Sequence, residues 1–211
     1  MITGDLGVYF VTAEPATKTT PGVVSSAVAG GVRMVQLRDK QSDTDRRIAL
    51  LQRLRSSVPD DVMVIVNDDV RAAVAVPGVG VHVGPDDDHP ARVRELLGSD
   101  AVIGWSIHDR DQLDDRDALL ACDYVAASPV WPTPTKTDTS APWGLDGVRA
   151  LRSVLPQDVP LIGIGGINAR NAAEVIIAGA AGVAVVSAIA SAVDPQAAAA
   201  ELVDIVNRAR R

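Results

Sequence analysis

Lysine is scarce in this chain, and its positions indicate phosphate binding. Only Lys18, Lys40 and Lys136 occur among 20 Lys and Arg residues. Lys40 ends the motif QLRDK, and Lys136 lies in the long proline-rich segment AASPVWPTPTKTDTSAPWG at 126–144. A lysine is a compact charge on a flexible stem, which suits a phosphate oxygen. The alternative is an ordinary solvated side chain, but a connection as long as that around Lys136 is usually functional or disordered.

Carboxylates follow two apolar segments of the chain. Asp68 and Asp69 come directly after VMVIVN, and three aspartates at 86–88 come after VGVHVGP. If the two segments are neighbouring strands, these carboxylates can converge on one ion. One or two carboxylates completed by phosphate oxygens are the usual Mg²⁺ ligands in proteins. The alternative is capping, in which Asp68 only opens the next helix and the aspartates at 86–88 form a solvated turn.

Glycine and serine follow two later apolar segments, in GIGGIN and VVSAI. Gly165 and Gly166 would allow backbone N–H groups to approach a phosphate, and Ser187 could donate a hydroxyl. The chain therefore carries elements of a cationic, metal-assisted site for a diphosphate and of a neutral site for a monophosphate. This combination predicts the joining of two phosphorylated molecules, with diphosphate as the leaving group.

Other reactive residue types favour structural roles. His82, His89 and His108 are more typical of structural than of catalytic histidines, and no Ser–His–Asp or Cys/His metal pattern stands out. Cys122 adjoins an apolar segment, which is typical of a small buried side chain in a reducing compartment.

The elements that must position these residues recur eight times. Short segments rich in Val and Ile predict buried strands: VYFVTA (8–13), VRMVQL (32–37), VMVIV (62–66), VGVHV (79–83), AVIGWSI (101–107), YVAA (124–127), LIGIG (161–165) and GVAVVS (182–187). Helical patterns lie between them, including DTDRRIALLQRLRSSV (43–58) and DRDQLDDRDALLA (109–121), with Asn168 and Asp194 as expected N-caps and Pro195 at a first helical position. Strand–helix alternation predicts one α/β domain over 1–211, a (β/α)8 TIM barrel, with an open doubly wound sheet as the alternative.

Composition excludes several classes of protein. The net charge of −7 argues against a broad nucleic-acid surface. No apolar run reaches the length of a membrane span, and the start MITGDLGVYFV lacks the pattern of a signal peptide, so a cytoplasmic protein is expected.

Seven ordered motifs give the chain a family resemblance over nearly its whole length. It resembles the thiamine phosphate synthase family in the motifs VQLRDK, VNDDV, GVHVGPDD, GWSIHD, PVWPTPTKTD, IGIGGIN and VSAI. The resemblance implies a (β/α)8 barrel that uses Mg²⁺ to join the diphosphate of hydroxymethylpyrimidine to a thiazole phosphate. The products would be thiamine phosphate and diphosphate. A homo-oligomer is possible, and the sequence does not decide it.

The same resemblance implies a role for each matching residue. The pyrimidine diphosphate would be held by Gln36, Leu37, Arg38, Asp39, Lys40, Asn67, Ser106 and Lys136, of which Ser106 and Lys136 would be catalytic. The thiazole phosphate would be held by Thr133, Pro134, Thr135, Gly166, Val186 and Ser187, and Mg²⁺ by Asp68 and Asp87. The chain departs from the common family pattern at Pro85, Asp86 and Thr137. These three departures bear on the affinity for the diphosphate and leave the assigned ligands unchanged.

The long segment from Ser128 to Trp143 is expected to be a lid over the site, since its prolines lower the entropy cost of ordering it. Two rival functions remain at this point. One is a related thiazole tautomerase, which should lack this loop, and the other is a non-catalytic phosphate-binding barrel, which would need neither carboxylate nor Lys136.

Overall fold

The computed structural model describes residues 6–133 and 141–211, and these residues form a closed parallel β-barrel. Its strands pair in chain order, and β1 closes the barrel against β8. The strands are β1 (Val8–Val11), β2 (Met34–Leu37), β3 (Met63–Asn67), β4 (Val79–Val83), β5 (Ile103–Ile107), β6 (Tyr124–Ala127), β7 (Leu161–Ile164) and β8 (Gly182–Val185). The predicted (β/α)8 barrel is therefore confirmed, and the open sheet is excluded.

Helices follow the strands and cover the outside of the barrel. They are α1 (Thr20–Ala29), α2 (Thr44–Ser57), α3 (Val70–Ala75), α4 (Pro90–Leu97), α5 (Arg116–Ala121), α6 (Gly144–Val154), α7 (Ala172–Ile177), α8 (Ser187–Ala190) and α9 (Pro195–Ala209), with a 3-10 helix at Asp111–Asp114. Among the helices of the described residues, none combines the length and the apolar character that crossing a membrane requires.

Side-chain caps explain where several helices begin. Asp43 and Asp194 each accept a hydrogen bond from a backbone N–H in the first turn, as expected for N-caps. Asp115 caps α5 in the same way, so the helical pattern over 109–121 is broken into two short helices. The prediction that Asn168 caps a helix is wrong. The Asn168 side chain accepts a hydrogen bond from the Arg170 N–H within a turn. Helix α7 begins only at Ala172, so Asn171 holds the N-cap position.

Strand alternation sorts the side chains into an inner and an outer core. Outward-facing Val, Ile and Leu residues pack against the helices in one continuous cluster. A second cluster fills the barrel interior and includes Tyr9, Met34, Ile65, Tyr124 and Ile162. Successive side chains of a strand point to opposite faces, so the inward positions near the strand ends present their side chains to the barrel mouth.

Candidate active site

A cavity of about 310 Å³ opens at the carboxyl ends of the strands. Its floor is formed by inward-facing residues near the strand ends, which continue the alternation of the inner core, among them Tyr9, Gln36, His82 and Ser106. The predicted site residues that line it are Gln36, Arg38, Lys40, Asn67, Asp68, Asp87, Ser106, Thr133, Gly166, Val186 and Ser187. The structure thus brings most of the predicted residues together at the face where barrel enzymes hold their active sites.

One wall of the cavity pairs two carboxylates with a lysine. Asp68 is the only described non-glycine residue with a positive φ, 62°, a conformation that usually persists where the surroundings enforce it. Its Oδ2 lies 3.1 Å from Lys40 Nζ, and its carboxyl group hydrogen-bonds with that of Asp87. The pKa of Asp68 is raised to about 6. Burial is the largest cause, the neighbouring Asp87 is the next, and Lys40 opposes the shift.

The capping role suggested for Asp68 belongs to its neighbour Asp69. The Asp69 carboxylate accepts the Ala72 N–H at the start of α3 and pairs with Arg47 Nε at 2.7 Å. Burial opposes ionisation of Asp69, but the Ala72 N–H and Arg47 together lower its pKa. Because Asp69 satisfies the helix, the Asp68 carboxylate faces the cavity.

The segment that follows β1 holds the loop after β2 in place. Thr12 Oγ1 accepts the Arg38 N–H at 3.0 Å, and Glu14 accepts the Lys40 N–H at 2.6 Å while forming an ion pair with Arg38. Glu14 thereby holds the side chain of Arg38 and the backbone of Lys40. Sequence reasoning did not identify Thr12 or Glu14, whose backbone N–H partners, Arg38 and Lys40, each lie 26 residues further along the chain.

Two predicted residues of the QLRDK motif do not line the cavity. Leu37 is the outward-facing neighbour of Gln36 and is buried in the outer core, so its side chain points away from the site. Asp39 is also buried, and its Oδ2 accepts from Ser42 Oγ at 2.7 Å. Its Oδ1 has no hydrogen-bond partner among the described residues. A side-chain contact between Leu37 or Asp39 and a ligand in this cavity is not supported.

The opposite wall is neutral and is made by the ends of β7 and β8. Gly165 and Gly166 have φ values of 100° and 68°, which glycine adopts without strain. Ser187 is the first residue of α8, the short helix that follows β8. Barrels often bind phosphate at this position, where backbone N–H groups and a helix start converge.

The loop after β6 begins and ends against this neutral wall. The Val130 and Trp131 N–H groups donate to the carbonyls of Ile164 and Gly165, and the Trp143 N–H donates to the Pro129 carbonyl. A Cβ at Gly166 would lie 2.8 Å from Trp131 Cβ, so glycine is also required there for packing. Pro134, Thr135 and Lys136 lie outside the described residues, so their assignments and the lid remain predictions.

A chain of buried hydrogen bonds crosses the cavity floor and was missed by sequence reasoning. It links Gln36, Tyr9, Tyr124, His82 and Ser106 in that order. The available signal was the polar character of inward-facing positions on β1, β2, β4, β5 and β6. The other two histidines have local contacts: His89 caps α4 and pairs with Asp115, and the His108 N–H donates to Gln112.

Comparisons with known proteins identify the family of this chain. A family model described as thiamine monophosphate synthase matches residues 8–189. The chain is 42% identical to a thiamine-phosphate synthase of Albidiferax ferrireducens, covering 96% of this chain and 92% of the relative. It is 39% identical to that of Archaeoglobus fulgidus, covering 96% and 94%.

A solved structure gives the same result in three dimensions. The thiamine phosphate pyrophosphorylase of Pyrococcus furiosus is 31% identical and superposes with a TM-score of 0.85, covering 98% of both chains. The sequence, the fold and the arrangement of the cavity therefore lead to one conclusion: this chain belongs to the thiamine monophosphate synthase family.

Proposed function

We propose that this chain is a transferase that joins 4-amino-2-methyl-5-(diphosphooxymethyl)pyrimidine to a thiazole phosphate, giving thiamine phosphate and diphosphate. One observation carries the proposal. A single cavity has a charged wall at β2 to β4 and a neutral glycine–serine wall at β7 and β8, on opposite sides of the closed barrel. The two walls fit a diphosphate and a monophosphate that meet above a common floor.

Mg²⁺ fits the charged wall. Arg38 is paired with Glu14 and Lys40 with Asp68, and Asp87 adds a further carboxylate to this wall. Without a cation the wall would therefore repel a diphosphate. The described residues contain no group of three or more His, Cys, Asp or Glu side chains placed to hold a metal. Asp68 and Asp87 would therefore hold Mg²⁺ together with oxygens of the diphosphate, as is usual for this ion. Bound Mg²⁺ would supply neutralisation of charge at the leaving group.

The protein side chains position the reactants and balance charge. In the proposed step the bond between the pyrimidine methylene carbon and the diphosphate oxygen breaks, and its electron pair leaves with the diphosphate. The thiazole nitrogen then forms the new C–N bond with its own lone pair. Arg38 and Lys40 face the growing charge on the leaving group, and Gln36, Asn67 and Ser106 hold the pyrimidine part. Lys136 is assigned to the diphosphate by family resemblance.

This reaction explains why the site has charged groups and no evident general base. The thiazole nitrogen attacks without losing a proton, so no side chain has to remove one. A tautomerase would instead need a residue that moves a proton on the thiazole. The relatives matched over more than 90% of both chains are thiamine-phosphate synthases, and this does not favour the tautomerase or a silent binding protein.

The deciding experiment mixes both substrates, Mg²⁺ and the protein, and follows thiamine phosphate and diphosphate by chromatography. Equal amounts of the two products are expected. Asp87→Asn should slow formation by about 100-fold or more, the scale of losing one group that stabilises transition-state charge. Asp86→Asn, an exposed neighbour in the same loop, is the matched control and should retain the rate. Absence of thiamine phosphate with the unmodified chain would refute the proposal.

A further inference from the structure

Five side chains form a continuous hydrogen-bonded chain beneath the cavity. Gln36 Nε2 lies 2.6 Å from the Tyr9 hydroxyl, which lies 3.0 Å from the Tyr124 hydroxyl. The Tyr124 hydroxyl lies 3.0 Å from His82 Nδ1, and His82 Nε2 lies 2.9 Å from Ser106 Oγ. Gln36 and Ser106 at the two ends line the cavity together with Tyr9 and His82, whereas Tyr124 in the middle is fully buried and does not.

The Gln36 amide, whose Nε2 faces Tyr9, sets the direction of the hydrogen bonds in this chain. An amide nitrogen only donates, so the Tyr9 oxygen accepts from Gln36 Nε2. Within the described protein the Tyr9 proton then goes to Tyr124, its other hydrogen-bond partner at 3.0 Å. The Tyr124 proton goes to His82 Nδ1, which leaves the proton of the neutral imidazole on Nε2, where it is donated to Ser106.

This direction determines what the cavity floor offers to a ligand. With its nitrogen engaged by Tyr9, Gln36 presents Oε1, an acceptor, to the cavity. With its oxygen accepting from His82, Ser106 is left with its own proton to donate. An aminopyrimidine carries the matching groups, since its amino group donates and its ring nitrogens accept. A 4-oxopyrimidine places an acceptor where the amino donor would be.

The barrel is built to accommodate this chain. A Cβ at Gly104 would overlap the phenol end of Tyr124 and lie 2.5 Å from His82 Nδ1, so glycine leaves the space in which the two rings meet. The His82 and Tyr124 rings stack with centroids 5.5 Å apart, and the Tyr9 and Tyr124 rings meet edge to face at 6.0 Å. Burial raises the pKa of both tyrosines, so both hydroxyls keep their protons at neutral pH.

We propose that Tyr124 is a positioning residue that, without touching substrate, fixes Gln36 as an acceptor and Ser106 as a donor and so selects an aminopyrimidine over an oxopyrimidine. Tyr9 and His82 transmit its effect to the two ends. The inference rests on the proposed function for the identity of the pyrimidine, but its test uses binding and does not require turnover.

The test compares two ligands that carry a monophosphate in place of the reactive diphosphate. They are 4-amino-2-methyl-5-(phosphooxymethyl)pyrimidine and its 4-oxo counterpart, and their dissociation constants are measured by calorimetry. The unmodified protein should bind the amino ligand about 100-fold more tightly, because the oxo ligand leaves Gln36 Oε1 facing another acceptor. In Tyr124→Phe, Tyr9 loses its acceptor and can donate to a reversed Gln36 amide. The preference should then fall to about tenfold or less.

The matched control is Ile103→Val, which removes a buried methyl group from the outer core at the start of β5, the strand next to that of Tyr124. It should keep the full preference for the amino ligand, although it also perturbs packing. If Tyr124→Phe does not fold, Tyr9→Phe cuts the chain at the Gln36 end and should reduce the preference similarly. An unchanged preference in a folded Tyr124→Phe or Tyr9→Phe protein would overturn the inference. So would the absence of any preference in the unmodified protein, even if that protein forms thiamine phosphate.

Discussion

Asp87→Asn should make the metal-free protein more stable at neutral pH while lowering its activity. The carboxyl groups of Asp68 and Asp87 hydrogen-bond with each other, and their mutual repulsion contributes to the raised pKa of Asp68. Asparagine at 87 removes one charge of this pair. It also keeps an oxygen that can accept the Gly84 N–H, now bonded to Asp87 Oδ2 at 2.8 Å.

The size of the effect follows from the pKa of Asp68. Its value rises from 3.8 to about 6 on folding, and this difference corresponds to about 3 kcal/mol at roughly 1.36 kcal/mol per pKa unit. The folded protein keeps a proton that the unfolded chain releases, so this stability is present below pH 3.8 and is lost as the pH rises through 6. Solvent screening of the Asp68 side chain, which is 25% exposed, reduces the loss to about 2 kcal/mol. Burial is the larger cause, so removing Asp87 should restore about 1 kcal/mol.

Urea unfolding in the presence of a chelator measures this directly. We expect the free energy of unfolding of Asp87→Asn to exceed that of the unmodified protein by about 1 kcal/mol at pH 7.5. The two values should converge near pH 4, where Asp68 is protonated in both proteins. Asp86→Asn should follow the unmodified protein throughout. The reasoning fails if Asp87→Asn is no more stable than Asp86→Asn at pH 7.5. Adding Mg²⁺ at that pH should stabilise the unmodified protein more than Asp87→Asn, because the ion needs both carboxylates.

Three further changes test other parts of the site. Glu14→Ala should raise the KM for the pyrimidine diphosphate about tenfold, because Arg38 loses the carboxylate that positions it, and should leave the KM for the thiazole phosphate unchanged in steady-state assays. Lys136→Ala should slow product formation by about 100-fold in initial-rate measurements without altering thermal stability. Gly166→Ala should lower the free energy of unfolding by about 2 kcal/mol in urea, because it combines a positive φ with a close approach to Trp131.

The barrel and most of its mouth could be predicted from local sequence patterns. Each strand was placed within two residues of its observed bounds, because short β-branched segments separated by helical periodicity leave few alternatives. Once eight units were recognised, the residue after each strand was expected at one face of the barrel. Asp68, Lys40 and Ser187 follow three different strands and all line the cavity, although they are far apart in the chain.

Contacts between distant strands could not be predicted in this way. The Tyr9–Tyr124 hydrogen bond joins residues 115 positions apart, and nothing near either tyrosine in sequence indicates the other. Leu37 was assigned to the site because it lies inside a motif, whereas strand alternation turns its side chain outward. The glycine pair after β7 was interpreted only as a phosphate site, but Gly165 and Gly166 also make room for Pro129 and Trp131 of the β6–α6 loop.

The local irregularities of the described structure concentrate beside the charged wall, and this supports a ligand-binding role for that wall. Asp68 combines a positive φ with a raised pKa, and the Asp39 Oδ1 nearby is buried without a partner among the described residues. Each of these features costs stability in the free protein, whereas the outer core is packed without comparable penalties. A divalent cation would remove the repulsion between Asp68 and Asp87, and a bound diphosphate would take the place of Asp68 as a partner of Lys40. Under the proposed function, the free energy lost in folding this wall would be recovered when these ligands bind, which would allow its irregularities to persist in a stable barrel.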